Sequence, residues 1–206
     1  RLYGNYDFTQ LYEQLLRRAQ RSLPLLQLQF PSPMELTNQF QADFQLYQID
    51  SLASIWGWNC SLSDTLQMRA DLAYDSSFLS LSIPSFRWEN KVVELPDFSL
   101  NQHRDSLSLK VDFYYHLLGV DTSALEGKFR LAAAQNQISG DLILWARPDS
   151  QELYLPLRTN IALMRDNNDE IEAFMELDST LFYLNGQPMR FSNSRMRWSA
   201  NRLQLS

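Results

Sequence analysis

Most of this chain alternates apolar and polar residues with a period of two. Phe40, Ala42, Phe44 and Leu46 form one such run, and Leu66, Met68, Ala70 and Leu72 form the next. Leu79, Leu81 and Ile83 follow, then Leu107, Leu109, Val111 and Phe113, then Phe129, Leu131 and Ala133. The pattern resumes at Leu142 and Leu144, at Leu153, Leu155 and Leu157, and at Ile161 and Leu163. Leu177, Thr180, Phe182 and Leu184, then Met196 with Trp198, then Leu203 with Leu205, complete it. Successive side chains of a strand point to opposite faces, so each run predicts a strand with one apolar and one polar face. That is the pattern of an antiparallel sheet with one face wet.

Two segments depart from it. Phe8, Leu11, Tyr12, Leu15, Leu16, Ala19 and Leu23 recur every three or four residues, which predicts an amphipathic helix. Asp7 and Gln10 are placed to cap its first turn, and Pro24 stops it. A second short helix is expected over residues 51–56, with Asp50 or Ser51 as its cap and Gly57 past its end. The chain therefore divides into a strand-plus-helix entry segment, residues 1–57, and a repeated antiparallel region, residues 58–206.

Turn chemistry marks the connections. Asn185-Gly186 between apolar runs is a hairpin signal, because both residue types tolerate positive φ. Polar clusters at Asp75-Ser76-Ser77, Glu89-Asn90-Lys91, residues 101–105, Asp149-Ser150 and residues 166–169 predict further turns. An Asp or Asn followed by polar residues introduces an alternating strand at residues 75–81, 105–109, 149–155 and 201–205. The spacing is too irregular for a strict solenoid and reads as an extendable meander. A closed β-sandwich is the structural alternative, since alternation requires one apolar face per strand in either case.

Composition narrows the function classes. The net charge is −6, which argues against a nucleic-acid partner, and the one dense basic cluster, Arg17-Arg18 with Arg21, is expected on a solvated helix face. The single Cys60 permits no internal disulfide and reads as a small buried hydrophobe. No apolar run reaches membrane-spanning length. The chain begins at Arg1 and ends within an alternating pattern, as expected of a piece cut from a longer protein.

Catalytic chemistry is not apparent. There is no phosphate loop, no nucleophile elbow and no His-x-x-x-His pair, and His103 and His116 lie thirteen residues apart. A hydrolase would need a Ser, a His and an acid brought together by the fold alone. The chain is accordingly read as no enzyme, with no cofactor and no metal. Asp166, Asp169, Glu170 and Glu172 lack the glycine and spacing of a calcium loop and are expected to be a solvated turn. Trp56, Trp58, Trp88, Trp145 and Trp198 are expected to pack in a core or line an apolar surface, with a sugar platform on an adhesion or glycan-binding module as the alternative.

The stretch SSFLSLSIPSFRWENKVVELPDFSLNQHRDSLSLKVDF, residues 76–113, resembles the repeating element of TamB/AsmA-like proteins of the Bacteroidetes type: a strand ending in Ser-Ile-Pro, another strand, then one beginning at Asp-Ser-Leu. The opening Gly4-Asn5-Tyr6-Asp7-Phe8 strand running into a Leu-rich helix, then a strand at residues 40–48 and a short helix, is similar to the middle of those chains. The resemblance implies a curved, open-sided, taco-like antiparallel sheet. It implies the periplasmic part of an inner-membrane-anchored protein that shields phospholipid acyl chains on their way to the outer membrane. An outer-membrane insertion protein of the BamA/TamA type is the partner it implies. The helices near the start depart from the family, as does the lack of the anchor and the C-terminal domain, which puts partner docking in doubt. Candidate lipid-lining residues are Leu79, Leu81, Ile83, Leu107, Leu109, Val111, Phe113, Leu142, Leu144, Leu153, Leu155 and Leu157.

Overall fold

The computed structural model describes residues 1–5, 8–26, 39–47, 49–117, 124–147, 152–165, 170–199 and 202–205. The expected turns at residues 149–150 and 166–169 and the Asp7 cap lie outside these. In chain order the elements are β1 (Leu2–Asn5), α1 (Phe8–Ser22), a 3-10 turn (Pro24–Leu26), β2 (Gln39–Leu46), α2 (Ile49–Ile55), β3 (Cys60–Leu62) and β4 (Leu66–Leu72). Then follow β5 (Ser76–Trp88), β6 (Lys91–His103), β7 (Ser106–Leu117), β8 (Ala124–Ala134), β9 (Gln137–Arg147) and β10 (Leu153–Arg165). The last are β11 (Ile171–Leu177), β12 (Thr180–Leu184), β13 (Gln187–Phe191), β14 (Ser194–Ser199) and β15 (Arg202–Leu205).

All of the strands join one open antiparallel sheet that does not close into a barrel, and no second sheet packs on it among the described residues. The fold is mainly β, as the alternation predicts, and the sandwich alternative is not formed. From β4 to β11 spatial order equals chain order, so each strand pairs with its sequence neighbours. The meander forks at β10. Its second half pairs with β11 and its first residues pair with β12, so the β12–β13 hairpin leaves the main path while β11 goes on to β14.

Local chemistry explains the turns. Asn185 and Gly186 both have positive φ, 52° and 72°, in the two-residue loop between Leu184 and Gln187. Gln135 and Asn136 do the same between β8 and β9 without a glycine. Residues 101–103 prove to be strand, and only Arg104 and Asp105 turn, with Arg104 at φ 50°. Pro84 does not end its strand either. β5 runs through it, and the register between β5 and β6 shifts between Leu81 and Phe86, facing Pro96 on β6. Prolines cannot donate to a ladder and are accommodated where it opens. On β13, which pairs with β12 alone, Pro188 lies opposite Tyr183, one pair beyond the turn-closing Leu184 and Gln187. An N–H there would point away from β12, so proline removes a donor from the free edge.

The helices match their expected positions. α2 ends on a Schellman arrangement: Trp58 N–H donates to the Ala53 carbonyl at 2.9 Å and Gly57 N–H to that of Ser54 at 3.2 Å, with Gly57 at φ 70°. Asp50 serves a different purpose from the expected cap. It lies inside α2, and its carboxylate accepts the Leu62 N–H at 3.1 Å, tying the helix to β3.

Gly127 on β8 lies opposite Phe113 on β7, and a Cβ there would come within 2.2 Å of the phenyl ring. The ring occupies the space a side chain would need. Gly127→Ala should therefore cost about 1–3 kcal/mol of stability by overpacking, with part recovered when Phe113→Leu is added. Urea denaturation measures both, and an unchanged midpoint for the single variant would contradict this ring placement.

Candidate functional site

Strand register decides which side chains share a face. Leu79, Leu100, Leu109 and Leu131 are successive cross-strand partners, and so are Leu81, Phe98, Val111, Phe129, Leu142 and Leu157. Phe113, Gly127, Leu144 and Leu155 form a third row, and Val93, Tyr115, Leu125, Ala146, Leu153 and Leu184 a fourth. Leu107 lies in the row of Gln102, Ala133, Ile138, Ile161, Met175 and Met196. Ile83 sits two residues past Leu81, at the register shift. The structure thus brings all twelve candidate residues to one face of one sheet.

Among the described residues, only α1 and the 3-10 turn lie over part of that face. Each of the twelve is half-buried, and none reaches the burial of a core residue. Buried apolar side chains among the described residues are confined to Phe40, Ala53, Cys60, Leu62, Leu72, Val92 and Ala133. Cys60 therefore matches its expectation, whereas the leucine rows are shielded by each other and by no second layer.

One end of the face is occupied by α1, docked through polar side chains. Gln14, Arg18 and Ser22, spaced four residues apart, are almost fully buried, while Leu15 is 37% exposed. At 100° per residue the buried stripe is about a quarter turn from the leucine stripe. The Arg18 guanidinium donates from Nη1 to the Ser76 carbonyl at 2.8 Å and to Ser77 Oγ at 2.9 Å. Its Nε and Nη2 are buried without hydrogen-bond partners. Burial, and secondarily Arg21, lowers its pKa. This corrects the solvated reading of the arginine cluster: Arg17 pairs with Glu13, but Arg18 is drawn into the contact with β5. Asn136 completes the docking, donating its N–H to the Ser22 carbonyl at 3.2 Å and accepting the Leu25 N–H at Oδ1, 2.8 Å away.

The opposite face is polar and cross-linked by charge. Asp43, Arg69, Ser80, Ser99, Lys110, Arg130, Asp141 and Arg158 form one row across eight strands. Arg158 pairs with Asp141 at 2.8 Å, and the hydrogen bond to Asp97 raises the pKa of Lys110. Exposed pairs of this kind contribute little stability and serve mainly to keep the face wet. Glu172, assigned above to a solvated acidic turn, is instead gripped by Arg197, whose Nη2 lies 2.7 Å from both carboxylate oxygens. Among the described residues no acidic or histidine cluster could hold a metal ion. His103 and His116 sit at opposite ends of the β6–β7 pair.

A cavity of about 1220 Å³ lies over β7 to β11 and β14. Its lining takes in two complete rows of the polar face, from Ser106 to Arg197 and from Ser108 to Arg195, the row from Leu107 to Met196 between them, and Met164. Of the twelve candidate residues only Leu107 touches this trough, and only Leu81 touches a smaller hollow of about 400 Å³ over β2, β4, β5 and β6. Sequence reasoning missed Val93, Phe98 and Leu100 as members of the apolar face, because the register shift at Pro96 changes the phase of alternation within β6. Of the two places expected for the tryptophans, a core and an apolar surface, four of them do not take the first. Trp56, Trp58, Trp88 and Trp198 are 62%, 55%, 48% and 62% exposed, and only Trp145 is half-buried, with its Nε1–H donated to Glu152.

Fold and site together define a class: one large, open antiparallel sheet with a polar face and an apolar face, on which no second sheet packs among the described residues. No family model matches the chain, and neither a curated protein nor a solved structure matches it.

A face on which no second sheet packs has a thermodynamic signature. Leu109→Ala and Leu155→Ala should each cost about 1 kcal/mol, below the roughly 2–5 kcal/mol of a leucine deleted from a closed core. Ala133→Leu, in the row beside α1, should cost about 1–3 kcal/mol by overpacking. Core-sized losses at Leu109 and Leu155 in urea melts would mean that the face is sealed.

Proposed function

We propose that this chain is a segment of a TamB/AsmA-like periplasmic bridge protein, anchored in the inner membrane outside this segment. In this reading it shields phospholipid acyl chains on the apolar face of its sheet as they move towards the outer membrane, supporting outer-membrane biogenesis or protein assembly. An insertion protein of the BamA/TamA type is the partner to seek at the far end.

The observation that carries this reading is the set of leucine-rich rows that run strand after strand and stay only partly buried. An acyl chain gains about 0.8 kcal/mol for each CH₂ removed from water, so a continuous apolar strip suffices without charge or catalysis. The sheet satisfies its own backbone groups, which lets the strip stay greasy without leaving polar atoms unpaired. A glycan-binding module is the competing reading, and the exposed tryptophans are the observation in its favour.

Photo-crosslinking separates these. A benzophenone amino acid at Leu109 or Leu155 should capture phospholipid, whereas at Ser108 or Tyr154, on the other face, it should not. Capture from the Ser108 and Tyr154 positions alone would sink the proposal.

A further inference from the structure

An exposed aromatic cluster occupies one corner of the sheet, where α2 meets β3 and the β5–β6 hairpin. Trp56 and Trp58 flank Gly57, and Trp88 ends β5. Ring centroids of Trp56 and Trp58 are 5.4 Å apart, and those of Trp58 and Trp88 are 6.4 Å apart and stacked at 22°. Phe86 meets Trp88 edge-on at 6.3 Å. All three indoles are about half-exposed or more, and Ile55 beside them is 74% exposed. So much apolar area in one place is uncommon on a surface that faces only water.

We propose that this tryptophan corner docks on a phospholipid bilayer surface, its indoles seated at the boundary between headgroups and acyl chains. Indole combines an apolar ring with an N–H donor and favours that boundary. None of the three indole N–H groups is taken up by a described residue, so each is free for a headgroup oxygen. Lys91, exposed at the hairpin and paired with Trp88, supplies a cation for a lipid phosphate. Ile55 adds an aliphatic side chain, which a sugar-stacking platform has no use for. Trp58 and Trp88 stack at 22°, but Trp56 is tilted 38° from Trp58, so the three indoles do not share one plane for a glycan chain to stack on. The corner is also continuous with the apolar face: Phe86 pairs with Val93 in its outermost row, and Trp88 lies two residues further on the same side. A bilayer touched at this corner would meet the end of that face.

The test is co-flotation with phosphatidylcholine–phosphatidylglycerol vesicles, with indole quenching by lipids brominated near the headgroup end of the acyl chain. The parent chain should float and be quenched. Trp56→Ala, which removes the most exposed ring beyond the end of α2 and should leave folding intact, is expected to weaken partition about tenfold. The triple variant Trp56→Ala, Trp58→Ala, Trp88→Ala should abolish flotation, with a retained urea transition showing that it is folded. A parent that does not bind vesicles, or a folded triple variant that binds as well as the parent, overturns the proposal. So does binding of soluble oligosaccharide without vesicle binding, which would assign the corner to a glycan. Lipid capture at Leu109 by a chain that fails to float would leave the acyl-chain reading standing and remove this one.

Discussion

Backbone pairing between neighbouring strands is the constraint on which this molecule depends. A closed domain is held by side chains from two layers that exclude water between them. Here the described apolar core is seven small or scattered residues, and among the described residues only the short helices pack against the sheet. Ladder hydrogen bonds and the side-chain rows that cross them must carry the structure. Rows such as Leu81, Phe98, Val111, Phe129, Leu142 and Leu157 shield one another laterally, which is how each comes to be half-buried without a lid. The few tightly buried polar groups cluster where α1 meets the sheet, and there the contact is an arginine, a glutamine and two serines in place of a leucine seam.

That arrangement separates what sequence can express from what it cannot. Alternation is a property of single strands, so the apolar set on β5, β7, β9 and β10 could be read directly, and register then joined it into one face. On β6 the same signal failed, because Val93 and Leu95 precede the irregularity at Pro96 while Phe98 and Leu100 follow it in the opposite phase. The Asn185-Gly186 turn was legible from residue type. The Gln135-Asn136 turn was not, since Asn136 tolerates a positive φ but Gln135, at 50°, is a residue type that ordinarily avoids it and is held there by the strands closing on either side.

Docking of α1 lay beyond sequence for a different reason. Periodicity correctly gave a helix with a leucine stripe, yet the buried stripe is Gln14, Arg18 and Ser22. Which side faces the sheet depends on acceptors presented by Ser76 and Ser77 and on the N–H donated by Asn136, far away in the chain. The tryptophans teach the same lesson in reverse. Bulky aromatic residues are usually enclosed, and an expectation built on that habit fails where no second layer exists to enclose them.

The fork at β10 carries one more implication. The β12–β13 hairpin is interposed between β11 and β14, yet those two strands pair from Glu172 to Leu177 as though nothing lay between them. Length is therefore a free variable in this architecture. A hairpin can be gained or lost while its neighbours keep their partners, and every added strand extends the sheet by about 4.8 Å. The twelve strands of the main path already span a contour of roughly 50 Å at that spacing. Evolution could tune the reach of such a sheet to the gap it must cross by duplication alone, without redesigning a core.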